Sequence, residues 1–254
     1  MLAGGALLFC RYAYPPNVLG YCGLDAAGQL LEQVDAGAED GALHRLVRGF
    51  EGAWPYLELI AGATGLDPLD RRVVEAYWVG NDLLTRVGTA ATGRSLEDRF
   101  RRRVGRNWSW LADAVPSGAV PHHSFHVFGV YPWVGLLRTG VVDQPLTVLD
   151  SCRIRWGRVL DVTGPTALVR CRHLLWDGRV VRLGLPRVDE VRVSAGGHRL
   201  AGDDLAAGDW CSMHWDWVCD RLDVAAARSL ATWSADQLAV AQGVARPGPA
   251  MLLS

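Results

Sequence analysis

The chain of 254 residues predicts an α+β protein: a mainly helical amino-terminal domain, then a small β-barrel of short strands closed by a carboxy-terminal helix. Three observations carry that expectation. Apolar residues recur at intervals of three and four between Asp25 and about Asp113, the apolar period shortens to two from Pro145 onward, and an Ala-rich amphipathic run follows Asp223. Half of the residues are hydrophobic, enough for two modest cores, so the spacing divides the chain into a helical domain over 1–145, a barrel with its helix over 146–242, and an irregular tail over 243–254.

The first stretch, Met1 to Arg11, is apolar but has no basic flank ahead of it and is short for an export leader, which predicts a buried amino-terminal segment. Leu43, Leu46, Val47, Phe50, Trp54, Leu57, Leu59 and Ile60 form a helical stripe, and three or four helices are expected in this half. Asp67 before Pro68 reads as a helix start, as does Ser95 with Asp98 three residues on. The stretch Ser117–Gly140 is dense in aromatics and histidine and reads as a buried connection between the halves, with Pro132 breaking any helix at Tyr131.

In the second half Val169, Cys171, His173 and Leu175 share one strand face, while Leu168, Arg170, Arg172 and Leu174 share the other. Asp177-Gly178 predicts a two-residue hairpin turn before Arg179–Leu185. A strand over Val188–Ser194, a turn at Gly196-Gly197, a strand over Trp210–Trp217 and a helix opened by Asp223 complete the expectation, with Leu230, Trp233, Leu238 and Val240 on that helix.

Composition removes several function classes. A formal charge of -1 gives no field to hold nucleic acid. All basic residues are arginine, which excludes Schiff-base and pyridoxal phosphate chemistry on lysine as well as the lysine of a phosphate-binding loop. No run approaches the roughly twenty apolar residues that span a bilayer, so a soluble cytoplasmic protein without membrane insertion is expected, with its six cysteines reduced. No cysteine pair is spaced Cys-x-x-Cys, which argues against a structural zinc site, and the eleven tryptophans are spread as core anchors rather than gathered in one platform.

The candidate chemistry is sparse. In the strand 210–217, alternation puts His214 and Asp216 together on the face away from Cys211 and Met213, where Asp216 can hold one ring nitrogen and free the other. Cys152 precedes Arg153 and Arg155, whose charges can lower a thiol pKa. His122 and His126 stand four apart beside His123, a spacing that suits one helical face, and Cys22 sits in the turn-rich aromatic patch after the first segment.

Taken together, Cys152 followed by Gly157, Val159 and Asp161, the block Gly208, Asp209, Trp210 and His214, and Leu222-Asp223 with its Ala-rich helix resemble the HypC/HupF family of nickel-iron hydrogenase assembly chaperones. The resemblance covers roughly 148–240. It departs in having Cys152 inside the chain, where the family's cysteine becomes the amino-terminal residue, and Trp156-Gly157 for the family's Pro-Gly. The resemblance implies an OB-like barrel and a non-catalytic maturation factor. Cys152 would ligate an iron carrying cyanide and carbon monoxide, with His214 and Asp216 as helpers. The partners it implies are a hydrogenase large-subunit precursor and other maturation proteins. The runs around His122–Phe128 and Tyr131–Gly135 look like uncharacterised bacterial proteins associated with hydrogenase genes. The rival expectations are a metal- or haem-dependent enzyme built on His122, His123 and His126, and an adaptor whose barrel has no metal role.

Overall fold

The structure is a computed structural model that describes residues 4–23, 25–37, 39–95, 115, 117–202 and 204–243. Helix α1 (Gly5–Val18) forms from the apolar first segment and is buried along nearly its whole length, Arg11 being only partly covered. Phe9, Tyr12 and Leu8 are each at most 1 % exposed, and at about 1.5–3 kcal/mol per buried large apolar side chain they make α1 the central strut of the fold. Around it pack α2 (Ala27–Ala36), α3 (Gly41–Arg48), α4 (Trp54–Thr64) and α5 (Arg71–Trp78).

Local signals explain their ends. Asp40 and Asp70 cap α3 and α5 by accepting from the Leu43 and Arg72 amides at 2.8 Å, and Gly37 and Gly65 close α2 and α4 in the left-handed region. Asp67 accepts from the Leu69 amide in the turn ahead of α5, so the start expected at Asp67-Pro68 falls a few residues early. The pairing expected between Ser95 and Asp98 lies outside the described residues, as does the tail after Gly243.

The connection 117–140 is buried at its start, as expected. His123–Phe125 (α6) runs into a π-helical turn, His126–Val130, where the Tyr131 amide reaches back five residues to the His126 carbonyl. Tyr131 is extended, and Pro132 opens α7 (Trp133–Arg138), so the break falls where proline dictates. Helix α8 (Asp143–Cys152) then delivers the chain to the sheet.

Among the described residues seven strands follow: β1 (Arg155–Thr163), β2 (Thr166–Trp176), β3 (Val181–Arg192), β4 (Ser194–Ala195), β5 (His198–Arg199), β6 (Trp210–His214) and β7 (Trp217–Leu222). Five of them pair in the order β1-β2-β3-β7-β6, and β6 pairs back onto β1, so the sheet closes on itself. Its interior holds Val159, Val169, Cys171, Val191, Cys211, Met213 and Val218. Its outer face is covered on one side by α1 and by α9 (Val224–Gln242), capped by Asp223 on the Ala226 amide at 2.7 Å. One apolar cluster runs from Phe9 and Trp78 through Trp156 and Trp217 to Leu230, drawing on both halves of the chain. Among the described residues, no helix is long and apolar enough to cross a membrane.

Three strand expectations need correction. The turn between β2 and β3 takes four residues, Asp177 to Val180, because Trp176 pairs with Val181; Asp177 caps it by accepting from the Arg179 and Val180 amides. A bulge between Arg172 and Leu174 interrupts the alternation of β2, so Leu174 is buried and Leu175 exposed, the reverse of the expected faces. The segment 210–217 is a hairpin rather than one strand: it turns at Trp215-Asp216, with Trp215 at φ 53°. That left-handed residue is pinned by its amide on the Ser151 carbonyl at 2.8 Å and by Arg155 on its own carbonyl at 2.6 Å.

Gly157 is the tightest point of the closed sheet. It faces Cys171 on one side and Cys211 on the other, and a β-carbon there would stand 2.4 Å from Val169 Cγ1 and 2.8 Å from the Arg170 carbonyl oxygen. Gly157→Ala is therefore expected to destabilise by about 1–3 kcal/mol through overpacking. A urea midpoint equal to that of the parent protein would mean that β1 and β2 can part at no cost.

Candidate functional site

Helix α8 ends at Cys152 because Arg153 turns extended to enter β1, leaving Cys152 at the junction of α8, α6 and the β6–β7 hairpin. There its thiol meets two imidazoles: one donor atom each from His123, Cys152 and His214 lie within 4.8 Å of one another. The two residues singled out by resemblance are thus brought together, and His123 joins them from the histidine-rich connection.

Each imidazole is held from behind. His214 is fully buried, with Nδ1 2.7 Å from the Tyr12 carbonyl oxygen, an arrangement in which Nδ1–H donates and Nε2 keeps its lone pair. Nε2 of His214 is buried and makes no close hydrogen bond among the described residues, though the Cys152 carbonyl lies near enough to favour the charged ring. His123 has Nε2 on the Cys152 carbonyl at 2.9 Å and Nδ1 on the Tyr77 hydroxyl at 3.2 Å, and its ring lies 4.6 Å from that of Trp78 and 5.2 Å from that of His214. Burial, followed by the neighbouring His123, pulls His214 down to about 3. Burial likewise pulls His123 down to about 4, against the Cys152 carbonyl, which favours its charged form. Both rings are neutral at ordinary pH.

The thiol behaves otherwise than the adjacent arginines suggest. Arg153 turns away to Asp150 and the Arg172 carbonyl, and Arg155 to Asp189 and the Trp215 carbonyl. Burial, then the thiol of Cys22, pushes Cys152 well above the usual cysteine range. Without a metal it stays a protonated thiol at ordinary pH, and metal binding would displace its proton.

The remaining sequence candidates fall elsewhere. Asp216 does not hold His214; it is 77 % exposed on the hairpin turn, 4.0 Å from Arg155 Nη2. His214 itself faces α1 and not solvent, because the closed sheet covers one face of β6 and α1 the other. His122 caps α6 by accepting from the Ser124 amide at 3.2 Å, and His126 pairs with the Tyr56 hydroxyl at 3.1 Å, so neither belongs to the metal-capable group with His123. Cys22, in the turn after α1 where Tyr21 packs on Trp215 at 4.0 Å between ring centres, is not part of that group, although its thiol lies near enough to raise that of Cys152.

Sequence reasoning missed a second polar group on the far side of the same helix end. Asp150 and Ser151 line a cleft of about 490 Å³ together with Thr147, Arg155, His173 and Asp189. His173 is clamped between carboxylates, Nδ1 to Asp150 at 2.5 Å and Nε2 to Asp189 at 2.6 Å. Cys171 and His173 do fall on one predicted strand face. The carboxylates are supplied by another strand and by α8, which one-dimensional periodicity does not connect.

Fold and site together define an α+β protein in which a helical layer and a closed five-stranded sheet bury a cysteine and two histidines at their junction. The chain belongs to the DUF6390 family, described as a family of unknown function, whose model matches residues 1–247. No curated protein and no solved structure matches it.

Proposed function

We propose that the protein is a metallocentre assembly factor that takes an iron fragment on the Cys152 thiolate, with His214 and His123 beside it. In this reading the closed sheet and α9 are a HypC-like, OB-like barrel. The cargo is the iron bearing cyanide and carbon monoxide that a hydrogenase maturation partner supplies and a nickel-iron large-subunit precursor receives. The observation that carries the reading is the gathering of one donor atom each from His123, Cys152 and His214 within 4.8 Å of one another, at a buried junction. A soft thiolate suits low-valent iron, and a neutral imidazole can accept the cysteine proton as iron arrives and then donate it in a hydrogen bond to a cyanide nitrogen. The reading does not need a free amine on Cys152, whose nitrogen is an amide inside the chain. The split of His122, His123 and His126 among different partners removes the geometric support for an enzyme centred on those three.

The test is anaerobic purification from the native host, with infrared spectroscopy over the cyanide and carbonyl stretches and mass spectrometry of co-purifying proteins. Cyanide and carbonyl bands with maturation proteins are expected, and Cys152→Ser should abolish the bands while leaving the fold intact. Bands that persist in that variant remove Cys152 from the reading; maturation partners without bands leave an adaptor.

A further inference from the structure

We infer that Cys171, His173 and Asp189 form a second, separate metal site for a borderline divalent cation of the zinc type, with an open coordination position facing the cleft beside α8. The donor triangle has nearly the right size. Cys171 Sγ lies 3.8 Å from His173 Nε2 and 3.5 Å from Asp189 Oδ2, while tetrahedral zinc with its usual bond lengths sets such ligand atoms roughly 3.4–3.6 Å apart. The third edge, Nε2 to Oδ2, is 2.6 Å because a proton bridges it; a cation replacing that proton would need to open it by a little under 1 Å. His173 already has the outer partner that metal-binding histidines use, Asp150 on Nδ1 at 2.5 Å.

Two arginines stand close, Arg155 with Nη1 2.9 Å from Asp189 Oδ2 and Arg187 with Nε 3.3 Å from Oδ1. Arg155 Nη1 also lies 4.0 Å from the Cys171 sulfur, so that guanidinium must turn aside for a cation to enter the triangle. The cleft touches His173 and Asp189 but not the sulfur, which is buried. The open position of a three-ligand site would therefore lie on the cleft side, as in sites that bind a water or a small oxygen-donor ligand.

The site is tested with cobalt(II) titrated into metal-free Cys152→Ser protein, which removes the thiol of the other metal-capable group and keeps failure here distinct from failure of the iron reading. One equivalent of cobalt with thiolate-to-cobalt charge-transfer absorption is expected. The absorption should vanish on adding Cys171→Ser, and Asp150→Asn should weaken binding about ten- to hundredfold. Should the Cys171 variant fail to fold, Asp189→Asn in the same background serves in its place and should also weaken binding. Absence of the charge-transfer band, or a band that survives both the Cys171 and the Asp189 substitutions, overturns the inference.

Discussion

Replacing Asp150 by alanine is expected to cost about 3–5 kcal/mol of stability, the range for stripping one partner from a buried ion pair. The carboxylate accepts from Nε and Nη2 of Arg153 at 3.0 and 2.9 Å and from the Leu174 amide at 2.9 Å, and it holds His173 Nδ1 as well. Burial alone would raise its pKa; the Arg153 charge, then the His173 hydrogen bond, hold it well below the usual carboxylate range. Arg153 is 2 % exposed, so the alanine variant leaves a guanidinium with the Arg172 carbonyl as its remaining hydrogen-bond partner. In urea unfolding the midpoint should fall with the slope unchanged. A loss under about 1 kcal/mol would mean that water reaches Arg153 in the variant and that the network is not structural.

Acid should unfold the metal-free protein steeply between about pH 6.5 and pH 4. Burial pulls His122 to about 3, His123 to about 4 and His214 to about 3, whereas the unfolded chain protonates such rings near pH 6.5. Their stabilising contribution is complete above that value and is lost as pH falls toward the folded pKa values, because unfolding takes up a proton at each ring. Three protons set a limiting slope of about 4 kcal/mol per pH unit. His122→Asn keeps a side chain able to cap α6 and removes one of the three, so the slope should fall by about a third. Urea unfolding repeated from pH 7 to pH 4.5 measures it; a free energy flat across that interval would contradict the burial of these rings.

The sequence shows the division into a helical half and a stranded half because each rests on a local period, and it shows the break at Tyr131 and the cap at Asp223 because each rests on a single residue's chemistry. Elements set by tertiary contact escape it. Trp215 does not announce the turn, since a bulky side chain disfavours the left-handed region it adopts; Arg155 and the Ser151 carbonyl impose it. The same holds for His214, whose strand is covered on both faces once α1 docks against it. At the site, Cys152 and His214 were legible only through the resemblance of the blocks around them. His123 was legible as one of three histidines, but a helical period groups His122 with His126 and so leaves out the ring that meets Cys152. The carboxylate clamp on His173 needs β3 and α8 folded onto β2 before it exists.

The last turn of α8 places Asp150 in the cleft and Cys152 in the buried cluster, two residues apart on one hydrogen-bonded segment, with the Arg153 amide bonded to the Leu149 carbonyl at 3.2 Å. The carboxylate that braces Arg153 and the thiol of the buried cluster are therefore carried by one helical turn, so a change in the backbone of that turn is felt on both of its sides.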